Sequence, residues 1–251
     1  MTDHPEIRTI ADLLERLMTD TSQSTDRWFR GQSNTDWQLK PSVRRNSRRG
    51  EAELAMLQKF RQFATARARS LPTDEWGWVA LAQHHRLPTR LMDWSQNPLI
   101  GLYFAVEKNP NEAPGTDGAF FALDPVKLNR DSLSQPNIDR PLLLSSAEPH
   151  LSPYLPDSAD VGVRKPLAVV APHAFDRLVS QSGTFVLFPA FTPSDTELSD
   201  SGALNYWTIP GDCKQSLRDE LRFLGITAAT VYPDLDHISS EILEQHDPSG
   251  S

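Results

Sequence analysis

Between Ala82 and Val106 the chain reads AQHHRLPTRLMDWSQNPLIGLYFAV, and the residues able to do chemistry are concentrated there. Two adjacent histidines, a Pro-Thr-Arg break and an Asp-Trp-Ser turn stand just ahead of a long apolar run. Polar and ionisable side chains set against an apolar wall are what a small-molecule pocket is built from. His84 and His85, as neighbours on a helix, point about 100° apart, so they do not share one metal as an i, i+4 pair would. One packed histidine beside an exposed one is the plain reading. The active reading has His85 donating to a substrate or orienting Asp93. Asp93-Trp94-Ser95 either caps the helix opened by Asn97-Pro98 or gives the pocket a carboxylate and an aromatic wall. Upstream, Trp28-Phe-Arg-Gly-Gln32 puts an arginine and a glutamine beside a glycine that permits close approach of a ligand or another backbone. Arg30 there suits either a bound anion, through charge-assisted bonds, or a structural ion pair with Asp93.

A basic run, Lys40, Arg44, Arg45, Arg48 and Arg49, is followed by Arg61, Arg67 and Arg69. It reads as a solvated loop and helix face or as a surface for a phosphate-rich partner. The net charge of -8 opposes non-specific nucleic-acid binding through the surface as a whole. The sequence contains no Gly-x-Ser-x-Gly elbow, P-loop or Gly-x-Gly-x-x-Gly fingerprint. The single cysteine, Cys213, excludes an intramolecular disulfide and a Cys-rich zinc site, and with few histidines no metal is expected. Cys213 itself reads as a buried, inert thiol. Asp234 and Asp236 read as caps for a helix starting near His237. The opening MTDHPEIRTIADLL lacks a basic and then apolar leader pattern, and no apolar run reaches the ~18 residues needed to span a bilayer. The expectation is a cytoplasmic protein with no membrane partner.

The elements that must position these residues follow from pattern. Thr9 caps a helix with Ile10, Leu13, Leu14, Leu17 and Met18 on one stripe, broken by Ser22 to Ser24. Asp26 to Gln32 reads as a strand, and Trp37, Leu39 and Pro41 as a second extended piece. Helices are expected over 51–70, 74–85 and 98–107, with an extended Thr89 to Ser95 between the last two. Gly118 to Leu123, Leu167 to Ala171, Gly183 to Phe188 and Leu204 to Ile209 read as strands. Residues 129–165, rich in proline and without period, read as an irregular insertion. A helix over Cys213 to Leu224 ends at Gly225, Ala228 to Tyr232 reads as a final strand, and 247–251 as a frayed tail. Helices come early and strands with a few helices follow. The fold class is therefore α+β, N-terminal helices around a central mixed or antiparallel sheet, and 1–251 is read as a single domain.

These stretches together resemble the FRG domain, a bacterial family named for its Phe-Arg-Gly signature. The resemblance rests on Trp28 to Gln32, Gln83 to Ser95, Pro98 to Ala105, Gln181-Ser-Gly-Thr-Phe185 and Tyr232 to Asp236. The family's usual glycine after the histidine pair is Arg86 here. A more distant likeness is to ADP-ribosyltransferases. That fold has an Arg-Gly or His-Gly pair on its first core strand, then a Ser/Thr-bearing strand, then a helix ending in Ala-x-x-Phe-Ala. Arg30-Gly31, Thr89 to Ser95 and Gly101 to Ala105 fall in that order, with Gln181 to Gly183 near the place of the Gln/Glu-x-Glu motif. The catalytic glutamate's position is Gly183 or Thr184 here. Two readings follow: Asp93 supplies the charge from another strand, or the chain binds a nucleotide without transferring it.

The resemblance implies NAD as substrate, with transfer of ADP-ribose to nucleic acid or protein, or NAD hydrolysis. Arg30, Asp93 and Gln181 would then be catalytic. Arg30, Gly31, Gln32, His85, Thr89, Arg90, Trp94, Ser95 and Tyr103 would bind the dinucleotide, and Lys40, Arg44, Arg45, Arg48 and Arg49 a nucleic-acid acceptor. Such proteins often serve as toxins or phage-defence effectors, which implies a neutralising or sensor partner. The alternatives are a non-catalytic nucleotide or nucleic-acid-binding module and a plain interaction domain.

Overall fold

A computed structural model describes residues 5–19, 26–68, 71–158, 162, 164–171, 181–190, 198, 201–232 and 234–246. The fold is α+β, as the element order implies, around a seven-stranded mixed sheet. Its strands are β1 (Trp28–Gln32), β2 (Leu91–Ser95), β3 (Gly118–Leu123), β4 (Leu142–Leu143), β5 (Leu167–Val170), β6 (Gly183–Leu187) and β7 (Leu204–Ile209). They lie in the order β4-β5-β6-β2-β1-β3-β7. Among the described strands, only β4 and β5 run parallel; the other neighbouring strands are antiparallel.

The sheet is two ladders joined by one rung. β1 pairs with β3 along its whole length, and β2 pairs with β6 from Leu91 to Ser95. β1 and β2 pair only at Phe29 opposite Ser95. Each half has its own core on one face. Over β1, β3 and β7, Phe29, Phe120 and Trp207 pack against Leu13 of α1 (Ile10–Thr19), Leu102 of α5 (Pro98–Val106) and Leu217 of α7 (Lys214–Phe223). Over β2, β5 and β6, Leu91, Leu167, Phe185 and Leu187 pack against Trp76 and Val79 of α4 (Glu75–His84) and Leu151 of a 3-10 turn at Pro149–Tyr154. Trp28, Met92, Trp94, Phe121 and Val186 form a third cluster on the opposite face, with Leu128 of α6 (Pro125–Leu133).

Local sequence explains most of these elements. Thr9 Oγ1 accepts from the Asp12 N–H and starts α1, whose Leu13 is fully buried. Leu14 and Met18, expected on the buried stripe, are exposed, because the contact face is the narrower one carrying Ile10, Leu13 and Leu17. Asn97 caps α5 through the Leu99 N–H, with Pro98 in the first turn. α4 begins at Asp74, which accepts from the Gly77 N–H, and ends in a left-handed residue. Arg86 has φ +63°, its N–H donates to the Gln83 carbonyl, and Leu87 N–H donates to Ala82, the bond pattern of a Schellman stop. That position is where glycine sits most easily, so Arg86 keeps the turn at a conformational cost.

Several expectations change. Trp37, Leu39 and Pro41 lie in turns and bends leading to a 3-10 turn at Ser42–Arg45, and form no strand. The helix expected over 51–70 is two helices, α2 (Ser47–Glu51) and α3 (Glu53–Ala64), which meet at Ala52 with φ -96° and ψ 5°. The 129–165 stretch is not wholly irregular. It contains the end of α6, β4 and the Pro149–Tyr154 turn, whose prolines hide a period too short to see. The stretch expected as a final strand, Ala228 to Tyr232, is a helix, α8 (Ala228–Val231), with Tyr232 as its C-cap: Thr227 and Thr230 form a reciprocal capping box that outweighs the strand preference of Thr-Val-Tyr. Asp234 does cap the last helix, α9 (Leu235–His246), accepting from the His237 N–H at 3.0 Å. The Ser22 to Ser24 break and the 247–251 tail lie outside the described residues. No described helix is long and apolar enough to cross a membrane.

Candidate functional site

Continuing the β1–β2 register would set Gly31 opposite Asp93, yet no pair forms there. The strands part, and Arg30 enters the gap. Its Nη1 donates to the backbone carbonyl of Asp93 at 2.5 Å, while its Nε is buried with no hydrogen-bond partner. Burial pushes the guanidinium down to about 10, partly opposed by the nearby Asp93 charge, so it stays cationic at neutral pH. The expected ion pair with Asp93 is thus a bond to that residue's main chain.

The Asp93 carboxylate is exposed and held by a neutral donor. Gln83 Nε2 lies 3.2 and 3.1 Å from its two oxygens. Gln83 is itself oriented by Thr89, whose hydroxyl donates to Gln83 Oε1 at 2.6 Å and leaves the amide NH2 to face the acid. Sequence reasoning offered His85 for this role and passed over Gln83. Gln83 lies one helical turn ahead of the α4 stop, and that stop turns the chain back to bring Thr89 against it.

Three neighbouring cavities along the seam share lining residues and are together called the trough. An inner lobe of about 250 Å3 is lined by Ala80, Gln83, His84, Arg86, Phe185 and Asp93, with Gln181 at its border. A middle lobe of about 150 Å3 has Arg30, Asp93, Trp94, Ser95, Phe104 and Gln181. An outer lobe of about 280 Å3 continues past Arg30 to Gln32, Trp37, Arg45, Phe104 and Lys108. Ser95 fastens the end of β2 to the far wall, its hydroxyl donating to the Gln181 carbonyl at 2.6 Å. Gln181 in turn donates from Nε2 to the Val231 carbonyl at 3.0 Å, so its amide braces the wall against α8.

Residues 25–113 match the FRG domain family. The chain carries an FRG domain. No curated protein and no solved structure matches it. The matched FRG stretch supplies β1, α4, β2 and α5, which contribute Arg30, Gln83, Asp93 and Phe104; the wall at Gln181 lies beyond it.

The signature glycine of this FRG domain serves the fold. A Cβ on Gly31 would lie 2.1 Å from the Gly101 carbonyl oxygen and 2.3 Å from the Ala105 nitrogen. α5 therefore crosses β1 with no side chain between them, and of the two readings of Gly31 the backbone approach is the one observed. Arg90, grouped with the dinucleotide ligands by resemblance, lines none of the three lobes. It is buried, with Nε and Nη2 on the Glu53 carboxylate at 2.6 to 3.1 Å and Nη1 on the Tyr154 carbonyl at 2.5 Å. Thr89 is fully buried and acts through Gln83. His85 is exposed beside Phe60, whereas His84 faces the inner lobe. Tyr103 packs edge-on against Tyr232, and its neighbour Phe104 forms the aromatic wall.

The basic run is divided. Arg44 is structural, donating to the Pro189 carbonyl at 2.5 Å and lying over Phe188. Lys40 is half-buried, Arg45 reaches the outer lobe, and Arg48 and Arg49 are exposed on α2. At Gly183 and Thr184, β6 offers no carboxylate; the Thr184 hydroxyl is buried opposite Trp94 without a partner. Cys213 is buried, and burial pushes its thiol up, as suits an inert side chain.

Proposed function

We propose that the trough binds a dinucleotide of the NAD type and that the domain breaks its nicotinamide–ribose bond. The observation that carries this reading is Asp93: an exposed carboxylate lining the inner and middle lobes, aimed by an uncharged amide, beside a half-buried arginine. A carboxylate held this way keeps its charge available to an oxocarbenium-like centre, which is what cleavage at an anomeric carbon requires. The C1′–N bond breaks with its electron pair leaving on nicotinamide. A C1′–O bond forms to water or to an acceptor hydroxyl, whose proton passes to solvent. Arg30 holds the pyrophosphate, Trp94 and Phe104 wall the middle lobe, and Gln181 closes it. The exposed Arg45, Arg48 and Arg49 present the surface for a nucleic-acid or protein acceptor.

A second reading is supported by the lack of a carboxylate at Gly183 and Thr184 and by cations at both ends of the trough, Arg86 and Lys108. On that reading the domain binds a nucleotide or nucleic acid without turnover. Thermal unfolding with NAD and nicotinamide release from the same sample separate the two. A ligand at ~100 times its dissociation constant adds ~2.7 kcal/mol, a visible rise in Tm. Asp93→Asn keeps that rise and loses nicotinamide release by about 100-fold or more. No Tm rise with the native chain would sink the NAD reading. Steeply salt-dependent nucleic-acid binding without nicotinamide release selects the binding module.

A further inference from the structure

Gln32 is the least settled polar side chain in the trough. It is 3% exposed, and neither its Nε2 nor its Oε1 has a hydrogen-bond partner. A buried carboxamide with both ends unpaired is costly, and native structures carry few such groups without a reason. Gln32 lines the outer lobe, whose other walls are unlike those of an interior void. Trp37 borders it with 42% of its surface exposed. Lys108 and Arg45, both exposed, stand at its rim. Each feature is explained by one kind of occupant: a flat, polar-edged ring carrying a phosphate.

We propose that the outer lobe is an adenine subsite, in which the Gln32 carboxamide reads the base edge, Trp37 covers the base, and Arg45 and Lys108 take the adjoining phosphate. A carboxamide presents an acceptor and a donor side by side. Adenine answers with its N6 amino group as donor and N7 or N1 as acceptor, so both orphaned Gln32 atoms are satisfied at once. An exposed indole suits a purine face. The adjoining phosphates would point toward the middle lobe, where Arg30 waits with its Nε unpaired. This deepens the NAD reading by naming which end of the dinucleotide each lobe receives, and it rests on that reading only for the inner end.

The test uses the full chain and ADP, which has the proposed base and phosphates but no nicotinamide. ADP should bind with a measurable heat and should be preferred to GDP and UDP. Gln32→Leu should weaken ADP binding by about tenfold or more and erase the preference. Because that substitution removes two unpaired buried atoms, the variant's Tm should stay level or rise, which separates lost recognition from lost folding. Trp37→Ala, altering an exposed residue, should weaken ADP independently. Unchanged ADP affinity in Gln32→Leu, or no ADP binding by the native chain, overturns the subsite. ADP binding that depends on Gln32 with no nicotinamide release leaves the subsite standing and removes the catalytic reading. Nicotinamide release whose KM for NAD is indifferent to Gln32 does the reverse.

Discussion

Arg30 and Arg90 are two arginines at the two halves of one sheet, the first half-buried and the second buried, and they are treated in opposite ways. Arg90 is complete: Glu53 meets its Nε and Nη2, and the Tyr154 carbonyl meets its Nη1. Arg30 has a single backbone acceptor, an orphaned Nε and an open trough beside it. A closed network fixes one packing arrangement, whereas an open one keeps bonding capacity for something else. On the proposed reading, the difference teaches that Arg30, with its hydrogen bonds unfinished, is the arginine left for a ligand, and Arg90 is the one spent on the fold.

The comparison breaks most easily at its closed end. Glu53→Ala strands a buried guanidinium and should cost about 3 to 5 kcal/mol, read from urea unfolding. A loss below ~1 kcal/mol would mean that Arg90 is no keystone and that the contrast is false. Arg30→Met should change stability by no more than about 1 kcal/mol, since one backbone bond is lost and one unpaired nitrogen goes with it. The same variant should abolish the NAD-induced rise in Tm. An unfolding penalty equal to that of Glu53→Ala would make Arg30 structural as well. The smallest effect concerns the α4 stop beside the trough. Arg86→Gly should stabilise the chain by up to about 1 kcal/mol by relieving a left-handed arginine. If nucleotide affinity falls while stability rises, the strained arginine belongs with Arg30 on the open side of the comparison.

Much of this was readable along the chain, and most of what was missed depends on contacts between residues that are not neighbours in sequence. Thr9, Asn97 and Asp234 announce their helices because a cap and its helix are neighbours in sequence. Asp93, Arg30, Gln32 and Trp94 could be picked out because polar groups interrupt apolar runs there. Arg90 could not be assigned, because its partner Glu53 is 37 residues away on α3 and nothing in the sequence joins them. Thr89 and Gln83 are six residues apart, yet their bond forms only once the left-handed stop turns the chain back. Ala228 to Val231 failed for the opposite reason: intrinsic strand preference was visible and the Thr227–Thr230 box was read past. The single rung between β1 and β2, which creates the trough, is a matter of register that no local pattern records.

The close crossing at Gly31 and Gly101 bears on how such chains are to be diagnosed. Any side chain at either position would collide with strand or helix, so a descendant that lost its chemistry altogether would still have to keep both glycines in order to fold. The third letter of the Phe-Arg-Gly signature therefore certifies ancestry and architecture and is silent about activity. On the proposed reading, a working chain and a relic would be told apart at Arg30, Gln32, Gln83 and Asp93, which line the trough or aim its carboxylate.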